Sequence, residues 1–494
     1  MGLGFNLNES KVFKDLVVNH DFTNAIIFGR TGSGKTSCAI LPNIENRIKS
    51  NYGLLVYDFK GNLHLQVKYL ANKYERLSDV IEIGKPWGKK INICDYLSIN
   101  NLSQIVGESN VLDNYWTNAS KNLFEVIYKI HKDLNYLIVE LNDELKKSKK
   151  SSLFFSSEFV KNSSYNQIQK YINSLRSIKE FYTTTLEIHN ELKFVLNFDM
   201  DRNKNYLKYK TCIKILDNIS ELLSTLEFYN NSKIEDTGGR NAVLNHLSSI
   251  LVDVAKKDFL NESQIDIVKE LRSGKIVIVD VSTINENSLN IINLAIYTRL
   301  QKILFKDSKP VTIFIDEAQK ILNSDYLPQV DVCRESKFEY IFATQDEILL
   351  ENKLGQNKFA ELYINIITKY SFASNSNDIV NNFEFIDLST NRKAFANPLF
   401  IDKNDLIKIE YLFQKKNDIL SYSDYEDSEN GVYVLKYDEK LIEEYKILIE
   451  KINGEYEETK FILFPNTYKM EETSKNINDD SLDCDFILEE IIID

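Results

Sequence analysis

At 494 residues the chain is too long for one compact domain, and 43% hydrophobic residues supply enough material for sizeable cores. That content, with only 6 Pro and 16 Gly, excludes disordered, collagen-like and low-complexity classes. A net charge of −13 counts against a general nucleic-acid-coating surface, while leaving room for a narrow channel in which a few Lys or Arg act locally.

No window approaches the roughly 18 uninterrupted apolar residues of a membrane span. The start, MGLGFNLNES, has neither the basic nor the apolar region of a signal peptide. Cys38, Cys94, Cys212, Cys333 and Cys484 lie far apart without a C-x-x-C pair, which argues against zinc and fits free thiols in a reducing cytosol.

In chain order, NAIIF (24–28) predicts a buried strand, GRTGSGKT (29–36) a Gly-rich loop, and SCAILPNIENRIKS a helix. GLLVYDF (53–59) predicts a second strand, followed by a helix to about 74 and the strand DVIEI (79–83). From about 101 the pattern becomes long, Lys-rich and helical, with apolar residues recurring at three and four; 101–238 is expected to be an all-helical insertion, with DTGGR (236–240) returning the chain to the core. Strands resume at KIVIVDV (275–281), VTIFID (311–316), YIFAT (340–344) and KYSFAS (369–374). The expected architecture is α/β: a two-layer core of mostly parallel sheet formed by 1–100 and 239–400, an α+β extension over 401–470 with a strand near 431–437, and an acidic flexible tail at 471–494.

Gly29, Arg30, Thr31, Gly32, Ser33, Gly34, Lys35, Thr36 and Ser37 span a G-x-x-x-x-G-K-[ST] loop with a strand before it and a helix after it. The glycines let backbone N–H groups turn around a β-phosphate. Lys35 reaches the β- and γ-phosphates, the Thr36 hydroxyl ligates Mg²⁺, and the helix points its positive end at the anion. In VTIFIDEAQ, a buried strand carries Asp316 to its end, where it would hold the water shell of Mg²⁺, and Glu317 stands where a carboxylate can deprotonate the attacking water. Gln345 ends the next strand and is a candidate γ-phosphate sensor, although a solvated strand-end Gln fits the same spacing. Arg334 is a candidate cation supplied across a subunit boundary, with Arg240 a weaker rival; a surface pair with Glu335 or Glu339 is the alternative. The absence of an N-K-x-D motif favours adenine over guanine, so the expected cofactors are ATP and Mg²⁺.

Five ordered segments resemble the conjugative (type IV secretion) coupling proteins, a branch of the FtsK/HerA superfamily of DNA motors with a RecA-like core. They are GRTGSGKT, LLVYDFKGNL, YWTNASKNLFEVIYKI, IFIDEAQKI and RESKFEYIFATQD. The set includes Asp58-Phe59-Lys60-Gly61, Trp116 and Gln345, and covers about residues 1–400. The resemblance implies ATP-Mg binding by Lys35 and Thr36, a Walker B pair in Asp316 and Glu317, a coupling role for Gln345, and an arginine finger in Arg334, eleven residues before it. It also implies a hexameric ring with DNA as partner. Phe59 stands where the family has Pro, and Phe338-Glu339 where it has an aromatic-Gly pair. Membrane-anchored members carry spanning helices ahead of a P-loop that here begins within thirty residues of Met1. A cytoplasmic motor recruited to the inner membrane by a partner protein is therefore expected.

Two other readings stay open at this stage. One is a HerA-like motor in anti-phage defence or DNA processing, with the cutting done by a separate nuclease. The other is a nucleotide-gated adaptor that docks protein cargo through the tail DDSLDCDFILEE. Residues 121–215 carry 17 basic against 11 acidic residues, with a run at Lys146, Lys147, Lys149 and Lys150; this suits a DNA contact or a solvated loop.

Overall fold

The computed structural model describes residues 13–85, 87–96, 114–147, 165–172, 174–198, 200, 203–230, 237–282, 284, 286–302, 307–323, 327–328, 330–372, 383–416, 433–434 and 471–472. The chain divides into two compact units. One comprises Met1–Lys89, Asp266–Asn290 and Arg299–Asp494, and the other Lys90–Ile265 with Ile291–Thr298.

Ten strands build the sheet of the first unit: β1 (Phe13–Lys14), β2 (Ala25–Phe28), β3 (Gly53–Asp58), β4 (Val80–Ile83), β5 (Ile276–Asp280), β6 (Val311–Ile315), β7 (Phe338–Thr344), β8 (Thr368–Phe372), β9 (Glu384–Asp387) and β10 (Arg392–Ala396). Their order is β1-β10-β9-β8-β2-β7-β6-β3-β5-β4. All neighbours from β8 through β4 pair in parallel, and β9 runs against both of its neighbours. Central parallel strands are covered on both faces, so they read as continuous apolar runs: IVIVD, VTIFI and FEYIFAT are buried throughout. One strand, β7, separates the P-loop strand β2 from the acid-bearing strand β6. This is the additional-strand, RecA-like order.

In chain order the described α-helices are α1 (Leu41–Lys49), α2 (Leu63–Lys73), α3 (Asn114–Glu140), α4 (Asn142–Lys147), α5 (Tyr165–Ile172), α6 (Leu175–Phe198), α7 (Tyr206–Asn230), α8 (Thr237–Ala255), α9 (Ile267–Ser273), α10 (Glu286–Lys302), α11 (Ala318–Ile321), α12 (Cys333–Ser336), α13 (Glu347–Leu354), α14 (Gln356–Ile364) and α15 (Lys403–Lys416). In the second unit, α3 packs on α7 and α8, α5 on α6 and α8, and α6 on α7. The reason is periodicity: Leu123, Ile127, Ile130, Leu134 and Leu137 are buried along α3, and Cys212, Leu216, Ile219, Leu223 and Leu226 along α7, each set stepping by three and four. The chain passes back into the sheet unit at Asp266, later than the glycine pair suggests. Gly238 and Gly239 lie exposed in the first turn of α8, where glycine costs little helix stability.

Two buried cations, each paired with buried carboxylate, tie helices to the sheet unit. Arg47 of α1 donates through Nε to Glu339 of β7 at 2.8 Å, and the Thr312 hydroxyl of β6 donates to the same carboxylate at 2.7 Å. The Lys68 ammonium of α2 meets Glu82 at 2.9 Å and Glu410 of α15 at 2.6 Å, and lies 4.2 Å from the centre of the Phe413 ring.

Among the described residues no helix is long and apolar enough to cross a membrane. Cys38, Cys94, Cys212 and Cys333 are buried and form no disulfide among the described residues. The strand expected at 431–437 is represented by Tyr433–Val434, paired antiparallel with Glu471–Glu472. Cys484, the remainder of 417–470 and the acidic tail from 473 lie outside the described residues.

Candidate nucleotide site

The site grows from the carboxyl ends of four adjacent strands. β2 ends at Phe28, and Gly29 makes a last ladder bond to the Thr344 carbonyl of β7 at 3.1 Å. The chain then leaves the sheet through a loop whose Gly32 and Gly34 have positive φ, +77° and +89°. At Gly34 a Cβ would stand 2.5 Å from the Phe383 ring, so glycine is required there on two counts. The loop closes with Ser33 N donating to the Arg30 carbonyl at 3.1 Å and Cys38 N to the Gly34 carbonyl at 2.8 Å. A π-helical turn, Thr36–Ile40, leads into α1. The first N–H groups of this helix face the loop, which makes an anion cradle. Inside it, the Ser33 hydroxyl is buried without a hydrogen-bond partner among the described residues. Lys35 folds over the loop, its Nζ donating to the carbonyls of Gly29 at 2.6 Å and Arg30 at 3.1 Å. Thr36 and Ser37 are buried beneath it.

Asp316 follows β6 directly and is buried, as is Glu317. Burial pushes the Asp316 carboxyl above the usual carboxylate range. Lys60 is the leading charge that opposes this, Glu317 adds to it, and Lys35 also opposes it. Asp316 therefore stands within electrostatic reach of the P-loop lysine. Glu317 occupies the left-handed region, φ 56° and ψ 50°, a conformation that costs a non-glycine residue energy and that persists where its surroundings hold it.

Those surroundings hold both oxygens of Glu317. Oε2 accepts from Gln345 Nε2 at 3.3 Å and from the Gln319 amide. Gln319 is itself oriented by the Thr344 hydroxyl, which donates to its Oε1 at 2.8 Å. Oε1 faces the Lys60 ammonium at 3.5 Å. The Lys60 loop is fixed by Asp58, whose carboxylate accepts from Gly61 N at 2.8 Å, His64 N at 3.0 Å and His64 Nδ1 at 2.8 Å. Burial alone would raise the Asp58 carboxyl, but the His64 hydrogen bonds and the positive neighbours His64 and Lys85 bring it down to about 2. Asp58 is thus a loop brace, and this is the role of the one histidine drawn near the site.

Asp316 feels the charge of Lys35, Glu317 meets Gln345, and Thr36 follows Lys35 at the start of the helix. Lys60 and Gln319 join them without having been given a role there. The signal for Gln319 was its position two after Glu317; the signal for Lys60 was its place after β3, which is visible only once β3 is known to lie beside β6. Arg334 is not brought to this site. It lies exposed on α12, ahead of β7, at the opposite end of a strand of about 20 Å. Nor does it pair with Glu339, which is taken by Arg47 and Thr312. Arg240 is buried within α8 of the helical unit, and the Trp116 side chain lies outside the described residues.

No cluster of three or more His, Cys, Asp or Glu side chains suited to a metal occurs among the described residues. Mg²⁺ takes one or two carboxylates and completes its shell with substrate phosphates and water. Thr36 and Asp316 supply donors of the required kind.

No protein-family model matches the chain, and no curated protein matches it. Among solved structures it is similar to the bacterial conjugative coupling protein TrwBdeltaN70 in complex with sulphate, at 10% identity and TM-score 0.45, over 79% of this chain and 90% of that one. It is also similar to plasmid coupling protein TrwB in complex with ADP and Mg²⁺, at 10% identity and TM-score 0.44, over 78% and 81%. VirB4 of Thermoanaerobacter pseudethanolicus is similar at 12% identity and TM-score 0.38, over 78% and 90%.

Proposed function

We propose that this chain is a Mg²⁺-dependent ATP hydrolase that works as a DNA-translocating motor of the coupling-protein kind. The observation that carries the hydrolase reading is the meeting of the Walker-type acids with the P-loop: Asp316 within reach of Lys35, and Glu317 fixed through both carboxylate oxygens. In this reading the loop N–H groups and Lys35 bind the β- and γ-phosphates. Thr36 and Asp316 would hold Mg²⁺, which supplies neutralising charge at the phosphate oxygens. Glu317 takes a proton from water while the water oxygen bonds to the γ-phosphorus and the bond to the β–γ bridging oxygen breaks. Gln345, bonded to Glu317, can report the γ-phosphate to the strand β7 that carries it.

DNA as the polymer is supported by the ordered family motifs and by the 17 basic against 11 acidic residues of 121–215. The motor would act as a ring in the cytoplasm, with a membrane protein bringing it to the machine that receives its DNA.

Phosphate release and binding of a fluorescent ATP analogue test the hydrolase. Lys35→Ala is expected to lose both. Glu317→Gln is expected to keep binding within about threefold while kcat falls ~10²–10⁴-fold. Wild-type turnover in both variants would overturn the reading. DNA is expected to stimulate turnover and to bind with a salt slope of about −0.9 per phosphate neutralised for duplex; a flat salt response with unstimulated turnover removes DNA from the proposal.

A further inference from the structure

We infer that Lys60 is a positioning residue for hydrolysis, a cation supplied by the same chain that fixes Glu317 for water activation. This rests on the hydrolase reading above. The geometry has three parts. The first is the contact: Lys60 Nζ stands 3.5 Å from Glu317 Oε1, while Gln345 and Gln319 occupy Oε2. The carboxylate is thereby held from three directions, by the loop after β3, by the strand end of β7, and by the first turn after β6.

The second part is the mounting. The backbone around Lys60 is braced by the buried Asp58 carboxylate, through Gly61 N and both His64 groups, and Gly61 has φ +77°. A long flexible side chain thus departs from a fixed base, which reduces the freedom lost when it holds its target. The third part is access. Lys60 is 30% exposed whereas Glu317 is 4% exposed, so the ammonium lies on the open side of the crevice and the carboxylate on the closed side. A carboxylate gripped on one oxygen alone can rotate about its last torsion; a cation at the other oxygen removes that freedom and keeps a lone pair aimed at the place of the water.

The position differs in kind from that of Arg334. Arg334 stands at the amino ends of the strands and can serve a site only if another subunit brings it there. Lys60 serves the site of its own chain. Part of the electrostatic apparatus is thereby built before any assembly.

The test uses the full chain as wild type, Lys60→Met, Lys60→Arg, Glu317→Gln and the double variant Lys60→Met/Glu317→Gln, with kcat and KM from phosphate release and Kd from a fluorescent ATP analogue. Lys60→Met is expected to lower kcat ~10–100-fold with KM and Kd within about twofold, and Lys60→Arg to recover most of the loss. The double variant is expected to be no slower than Glu317→Gln, because a residue that acts through Glu317 has nothing left to position. A KM or Kd raised tenfold at unchanged kcat would make Lys60 a phosphate ligand and overturn the inference, as would an additive loss in the double variant. Wild-type turnover in Lys60→Met overturns the role of Lys60 alone, whereas wild-type protein that binds ATP without hydrolysing it overturns the hydrolase reading itself. Should Lys60→Met fail to fold, Lys60→Arg decides: its charge at Oε1 must support near wild-type kcat.

Discussion

Asp58 is a structural residue at the edge of the candidate site, a buried carboxylate that braces the loop carrying Lys60. Burial alone would raise its carboxyl, but the hydrogen bonds and charge of His64 and the charge of Lys85 outweigh burial and hold it down at about 2. A depressed carboxylate contributes stability above its unfolded pKa and loses it as the pH falls through its folded value. The contribution is therefore complete above about pH 5, on the order of 2 kcal/mol, and disappears toward pH 2. Asp58→Asn is expected to lower the urea midpoint at pH 7, and the gap from wild type should narrow by about half at pH 3; a gap independent of pH would contradict the assignment. Residue identities were the most legible part of the site. The Gly29–Thr36 loop, Asp316, Glu317 and Gln345 announce themselves because each chemistry demands one residue type at one spacing. Lys60 and Gln319 were hidden for a physical reason: their roles arise from which strands are neighbours, and β3 lies beside β6 although some 250 residues separate them in sequence.

At the scale of elements, the central strands were legible because parallel strands buried on both faces leave uninterrupted apolar runs. The edge was not. β9 and β10, EFID and RKAFA, are short, charged and partly exposed, and their pairing depends on register between Arg392 and Asp387 that no periodicity signals. Glu339, a departure from the resembling family's small residue, acquires a reason here: it sits inside β7 as the acceptor for Arg47 of α1 and Thr312 of β6, locking helix to sheet. Removing one partner of a buried pair strands the other. Glu339→Leu is expected to cost about 3–5 kcal/mol, read as a lower urea midpoint, and Arg47→Met/Glu339→Leu to regain most of it. An additive double variant would show that the pair contributes nothing beyond packing.

For the whole molecule, the sheet's direction separates the two kinds of charge. The nucleotide apparatus crowds the carboxyl ends of the strands, and Arg334 stands exposed beyond their amino ends. If Arg334 acts as a finger, it acts on another copy. Arg334→Ala is expected to lower turnover ~10³-fold or more, while a mixture with inactive Glu317→Gln protein should regain turnover, since intact acids then meet intact arginines across boundaries. A mixture as inactive as its components would sink the trans role. The helical unit was legible as helical, yet its end at Ile265 was not, because a glycine pair looks like a terminus wherever it falls. The loop that carries Lys60 runs directly into α2, and in the second turn of α2 the dehydrated Lys68 ammonium is shared between Glu82 and Glu410 of α15. Breaking that grip would leave a bare charge in a dry interior, so the two helices must travel together. Chemistry at the crevice thus has a stiff lever that reaches from the Lys60 loop through α2 to α15.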